Sequence, residues 1–328
     1  MHTFALNADI LSRQGAIFFA GAYCAVSTNA DALLDTLARS ATISATHSFL
    51  GARTLTMHLL VHNEVLDFDP VPHFRGQQHI VVANFGAGNV FVFDMLRRHI
   101  HGTVSQSIAR DAAFWREKLL PIAVGVMGSS IGILPVHAAC FSFEGEGLLI
   151  AGASGAGKST LSAALCMSGI EYLADDWTYI TQDRGALLAH GAAAPIKLLP
   201  DAARHFPVLA SRQPRISMNG ELAFEVHAAP VFKAKIVHQC MPRHLVFLER
   251  REQPGISFTP VPEEFTRAYL DRNVERLPAQ MGDAVLRRVR LMNAVAALRS
   301  WKMSYGGSPA FAADHVREFM RNLRRVSA

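Results

Sequence analysis

Cysteine is scarce in this 328-residue chain: only Cys24, Cys140, Cys166 and Cys240, with no CxxC pair and no metal-ligand spacing. That excludes a disulfide framework and a thiolate metal site, and makes reduced thiols in a cytoplasmic protein the expectation. Lysine is sparse too, with six among the 32 basic residues. A net charge of +5 is too dilute over this length to indicate a nucleic-acid partner. The arginine-rich balance does suit phosphate or carboxylate ligands. Long apolar runs are missing as well. The closest, Leu119 to Cys140, is broken by Pro, Gly, Ser and His. The opening MHTFALNADILSRQ has neither the basic start nor the apolar core of a secretory signal. No membrane association is therefore expected. With half of its residues hydrophobic and 18% charged, the chain is instead built to bury a core.

Residues 1–130 read as an α+β module of short strands with a helix or two. HIVVANF (79–85) and NVFVFDM (89–95) form a hairpin-like pair around Gly86-Ala87-Gly88, and DALLDTLARS (31–40) has helical spacing with Asn29 or Asp31 as its cap. The stretch 107–128 is helical, with Pro121 starting a new helix or kinking the first.

Residues 131–328 have the order of an α/β nucleotide-binding unit. GILPVHAACFSFEGEGLLIAG suggests two strands joined at Glu144–Gly147. The second runs into GASGAGKST, LSAALCMSG has the 3.6-residue period of a helix closed by Gly169, and IEYLADDWTYI reads as the next strand. Strands are expected at 243–250 and 301–306, and helices at 262–273, 283–300 and 308–325, the last capped by Ser308.

Gly152-Ala153-Ser154-Gly155-Ala156-Gly157-Lys158-Ser159 fits GxxxxGK[ST], with Thr160 next, in the strand–loop–helix context that a phosphate loop requires. Glycines let successive backbone N–H groups converge on phosphate oxygens, and the following helix aims its N-terminus at the same anion. Lys158 suits the β- and γ-phosphates of ATP or another nucleoside triphosphate, and the Ser159 hydroxyl suits Mg²⁺. Asp175 and Asp176 close the apolar Tyr172-Leu173-Ala174, and strand ends in such sheets lie beside the ligand. Neighbours on a strand point to opposite faces, so one carboxylate could serve Mg²⁺ while the other accepts a proton from an attacking hydroxyl.

PVHAACFSFEG followed by GLLIAGASGAGKSTLSAALCMSGIEYLADD resembles the catalytic domain of HPr kinase/phosphorylase, closely over 135–180 and more loosely over 243–249 and from Trp301 onward. The group it resembles includes kinases that phosphorylate a serine of ribosomally made (lasso) peptides. The resemblance implies a P-loop fold of the HPr kinase/phosphoenolpyruvate-carboxykinase type. It makes Asp175 the general base, gives Asp176 a place assisting it or the metal, Ser159 the Mg²⁺, and His137 a position near the transferred phosphate. It also leaves room for a homo-oligomer. The family's Glu-x-Arg-Gly signature is absent: at Ala194-Pro195-Ile196-Lys197, Lys197 could stand where that Arg does as a substrate or phosphate contact, with Pro195 in place of the Glu. The expected activity is ATP- and Mg²⁺-dependent transfer to a hydroxyl, a serine of a peptide or small protein. The alternatives are a kinase for free serine or a sugar, or a nucleotide-binding regulatory protein without an acceptor. His99 and His101, read on a helix end or turn, lack a third partner for a metal.

Overall fold

The computed structural model describes residues 11–41, 53–64, 68–69, 71–192, 194–217, 220–274 and 276–327, and shows a mixed α/β chain. The opening residues read for a secretory signal lie outside the described residues as far as residue 10. Two compact units emerge: 1–134 with 276–289, and 135–275 with 290–328. The excursion 276–289 clusters with the first unit although no shift in composition separates it from its neighbours.

The first unit holds β1 (Arg13–Phe19), β2 (Ala22–Thr28), α1 (Asp31–Ser40), β3 (Thr54–His62), β4 (His73–Gln77), β5 (Ile80–Asn84), β6 (Val90–Asp94) and β7 (His99–Ser105). Their sheet order is β1-β2-β3-β7-β6-β5-β4, parallel only where β3 meets β2 and β7. Helix α1 spans the expected residues because Leu33, Thr36, Leu37 and Ser40 recur at the helical period and are all buried. Its N-cap is Ala30, which makes no side-chain cap bond. Asn29 is engaged elsewhere, bridging the backbone of Val61 through both its amide atoms at 2.9 and 2.8 Å.

The stretch 107–128 is not one kinked helix. Short turns α2 (Gln106–Ala109) and α3 (Ala112–Phe114) lead into a π-helical turn, Trp115–Leu119, and then α4 (Leu120–Met127). Pro121 sits in the first turn of α4, directly after the π-helical turn, in which the Leu120 N–H bonds the Trp115 carbonyl. His99 and His101 lie on strand β7 rather than on a helix end, because His99–Ser105 pairs along β3 and β6. Among the described residues no cluster of His, Cys, Asp or Glu is arranged to hold a metal ion, no helix is long and apolar enough to cross a membrane, and all four cysteines are free.

The second unit centres on β8 (Leu134–His137), β9 (Ala139–Phe143), β10 (Glu146–Gly152), α5 (Lys158–Met167), β11 (Glu171–Ala174), β12 (Trp177–Asp183) and β13 (Ala186–His190). After these come β14 (Ile196–Leu198), β15 (Arg215–Ile216), β16 (Leu222–Val226), α6 (Ala228–Phe232), β17 (Gln239–Arg250), β18 (Gly255–Val261) and α7 (Glu263–Asn273). The chain closes with α8 (Gly282–Ala296), β19 (Arg299–Gly306) and α9 (Pro309–Ser327). Helix α8 stops short of the expected residue 300 because Arg299 and Ser300 already pair with β17 and, for Ser300, with β18. Ser308 caps α9 as expected, accepting from the Phe311 N–H at 3.2 Å.

In the main sheet β10 has antiparallel β9 on one side, with β11 beyond it. On its other side lie parallel β17 and then parallel β19. The carboxyl ends of β10, β11, β17 and β19 therefore emerge at one edge, together with the start of β9. Beneath that edge α5 is buried almost all round, with Leu161 and Leu165 packed in one core with Val316 and Met320 of α9. Each such burial is worth about 1.5–3 kcal/mol, enough to hold the N-terminus of α5 in a fixed place under the edge.

Candidate active site

The glycine-rich segment folds as a tight loop between β10 and α5, with Gly152 ending the strand and Lys158, Ser159 and Thr160 opening the helix. Gly157 caps the helix in the left-handed region, φ 87°. A β-carbon there would collide with the Tyr305 hydroxyl, which donates to the Ala156 carbonyl at 3.0 Å and so ties the loop to β19. Gly157→Ala is accordingly expected to distort the loop and to cost most of any phosphate affinity while leaving the far-UV spectrum unchanged. Unaltered phosphate affinity would show that the loop tolerates the collision.

The expected strand 170–180 is interrupted. Asp175 and Asp176 form a bend between β11 and β12, and the two carboxylates part company there. Asp175 turns inward and is 4% exposed, and its Oδ1 has no hydrogen-bond partner among the described residues. Burial pushes its carboxyl above the ordinary range, against the pull of the Ser162 hydroxyl, the Lys158 charge and the Ser159 hydroxyl. Asp176 turns outward, its side chain 60% exposed. Desolvation opposes its ionisation, yet the hydrogen bond with His137 and the charge and hydrogen bond of Lys158 hold its carboxyl well below the usual range.

The two signs differ in consequence. For Asp176 the folded state favours the anion, so its contribution to stability is present above about pH 4 and is lost as pH falls. For Asp175 the folded state disfavours the anion, so ionisation costs stability as pH rises past about 4. Asp175→Asn is thus expected to raise Tm near neutral pH and to change it far less at about pH 3. A lower neutral-pH Tm than that of the unaltered protein would contradict this.

Lys158 Nζ donates to Asp176 Oδ1 at 2.9 Å, and His137 Nε2 lies 2.7 Å from the same oxygen and 2.9 Å from Nζ. One ring nitrogen cannot both donate to the carboxylate and accept from the ammonium. The three heads therefore compete, and a charge that drew Lys158 away would leave His137 Nε2 free to donate to the Asp176 carboxylate. The His137 backbone is pegged: its carbonyl accepts from the Tyr269 hydroxyl at 2.8 Å, and the next carbonyl, Ala138, accepts from Thr178 Oγ1 at 2.8 Å. Trp177 packs on the His137 ring at 5.3 Å between centroids and is 43% exposed.

Of the residues singled out in the sequence, His137, Lys158, Ser159, Asp175, Asp176 and the loop 152–157 converge at this edge. Lys197 is engaged elsewhere, on β14, in a 2.5 Å ion pair with Glu221. Ser162, Trp177, Tyr269 and Tyr305 escape sequence reading, since their roles depend on partners far along the chain; only the position of Trp177 directly after the Asp pair hints at its place.

No family model and no curated protein matches this chain. Among solved structures it is similar to the Hpr(Ser) kinase/phosphatase from Coxiella burnetii at 15% identity, with a TM-score of 0.34 over 59% of this chain and 92% of that one.

Proposed function

We propose that the second unit is an ATP- and Mg²⁺-dependent kinase of the HPr-kinase-like type, which transfers the γ-phosphoryl group to a serine hydroxyl of a peptide or small protein. The observation that carries this reading is the Lys158–His137–Asp176 cluster, held within 2.9 Å contacts beside a GxxxxGKS loop at the carboxyl edge of the sheet. The loop N–H groups and the α5 N-terminus suit the triphosphate. Ser159, with an Asp175 oxygen behind it that has no hydrogen-bond partner among the described residues, suits Mg²⁺. When bound, that ion would supply neutralisation of the triphosphate charge.

On this reading the triphosphate draws Lys158 from Asp176, and His137 Nε2–H then orients the freed carboxylate. Asp176 takes the proton of the acceptor hydroxyl as its oxygen attacks phosphorus, and the bond to the β–γ bridging oxygen breaks to leave ADP. This reverses the roles that the family resemblance implies for the pair. The reversal is supported by burial, since an inward Asp175 cannot meet an incoming hydroxyl whereas an exposed Asp176 can. The open setting of Asp176 and Trp177 favours an acceptor presented on a peptide.

The test is a calorimetric titration with ATP in millimolar Mg²⁺, followed by transfer of labelled γ-phosphate to serine-containing peptides and to free serine. Saturable binding with label on a peptide serine is expected. No heat of binding would overturn the reading at its first step, and label on free serine alone would replace the peptide acceptor.

A further inference from the structure

An open cleft of about 470 Å³ lies beside the loop, away from the lysine–histidine–aspartate cluster. It is lined by loop residues 153–156, by Phe247, Glu249 and Arg250 of β17, by Phe265 of α7 and by Lys302 of β19. Strand order fixes which side of the loop this is. His137 and the aspartate pair flank β9 and β11 on one side of β10, whereas the cleft is walled by β17 and β19 on the other. A nucleoside triphosphate with its terminal phosphate at Lys158 and Asp176 has to run its other end across the loop toward β17.

The walls there suit a base. Phe265 is 42% exposed, yet it is not free to fold away. Its ring is braced edge-to-face on Phe247 at 5.0 Å, and Phe247 is braced in turn on Tyr269 at 5.1 Å. A pinned, water-facing ring is a stacking surface waiting for a flat partner. Glu249 is held by Lys302 at 2.7 Å and by the Ser304 hydroxyl at 2.6 Å, which leaves a fixed carboxylate at the rim. Arg250 makes no ion pair among the described residues, and its Nη1 lies 3.8 Å from where a β-carbon of Gly157 would sit, so a positive charge overhangs the loop.

We infer that this cleft is the nucleoside subsite: the base of the nucleotide stacks on Phe265, and Arg250 covers the phosphates between base and loop. The inference rests on the phosphate-loop reading above and deepens it by locating the nucleoside end.

The experiment compares Mg²⁺-ATP with Mg²⁺-tripolyphosphate, which has the phosphates and no base, by calorimetry on the full chain. Phe265→Ala is expected to weaken ATP by about tenfold, the size of one lost base–aromatic stack. Tripolyphosphate affinity should stay unchanged, and Phe265→Tyr should restore ATP binding. Unchanged ATP affinity overturns the subsite, as does an equal loss for both ligands. ATP affinity that holds while the acceptor KM rises overturns it too, and gives the cleft to the acceptor. If the unaltered protein binds neither ligand, the phosphate-loop reading fails and takes the subsite with it; binding of both without discrimination in Phe265→Ala fails the subsite alone.

Discussion

Lys158→Ala is expected to abolish nucleotide-dependent phosphoryl transfer, with kcat reduced by at least about a hundredfold, the usual cost of removing one preorganised electrostatic contact to developing charge. The lysine matters twice. Its side chain is only 10% exposed, and its ammonium lies 2.9 Å from Asp176 and opposes with its charge the burial that raises the Asp175 carboxyl. With alanine there, a triphosphate would approach two carboxylates with no countercharge from the loop, so ATP binding should weaken along with chemistry. Calorimetry and a single-turnover assay read the two effects separately. Lys158→Met keeps the apolar stem and distinguishes lost charge from lost packing. Retention of full transfer by either variant would remove the loop from the mechanism.

Asp176→Asn is the second large effect, and its signature is different. Nucleotide affinity should hold or increase, because the residue that competes with phosphate for Lys158 is gone. Transfer should fall by about 10²- to 10⁴-fold, the range that general-base catalysis contributes. Asp175→Asn serves as the counterpart. Its buried carboxyl is placed to act through Ser159, so its loss should show as a raised Mg²⁺ requirement. The opposite pattern, with Asp175→Asn silent toward Mg²⁺ but unable to transfer, would return the base to Asp175.

The parts of this fold that were legible are those governed by local chemistry. The run from β10 through the loop to α5 could be read because an apolar strand, glycines and a 3.6-residue period follow one another within 24 residues, 146–169. Helix α1 was legible to the residue for the same reason. Where a distant partner decides, the reading failed. The bend at Asp175–Asp176 splits an otherwise continuous β-rich run, because one carboxylate is drawn under the helix and the other out to Lys158. Arg299 and Ser300 continue a helical pattern but are claimed by β17. Phe265 looks like an ordinary member of an amphipathic helix, and only the ring of Phe247 across the fold makes it a wall of the cleft.

The two tyrosine pegs have a kinetic corollary. Tyr305 reaches Ala156 over 149 residues and Tyr269 reaches His137 over 132. A nascent chain therefore emerges with its glycine turn and its histidine long before either fastening exists. Contacts closed over such separations carry a loop-closure cost that local contacts do not. A ribosome-tethered chain halted before β19 would already hold Tyr269 for His137 but not Tyr305 for Ala156, so its glycine turn would stay unfastened until that final parallel strand slots in beside β17.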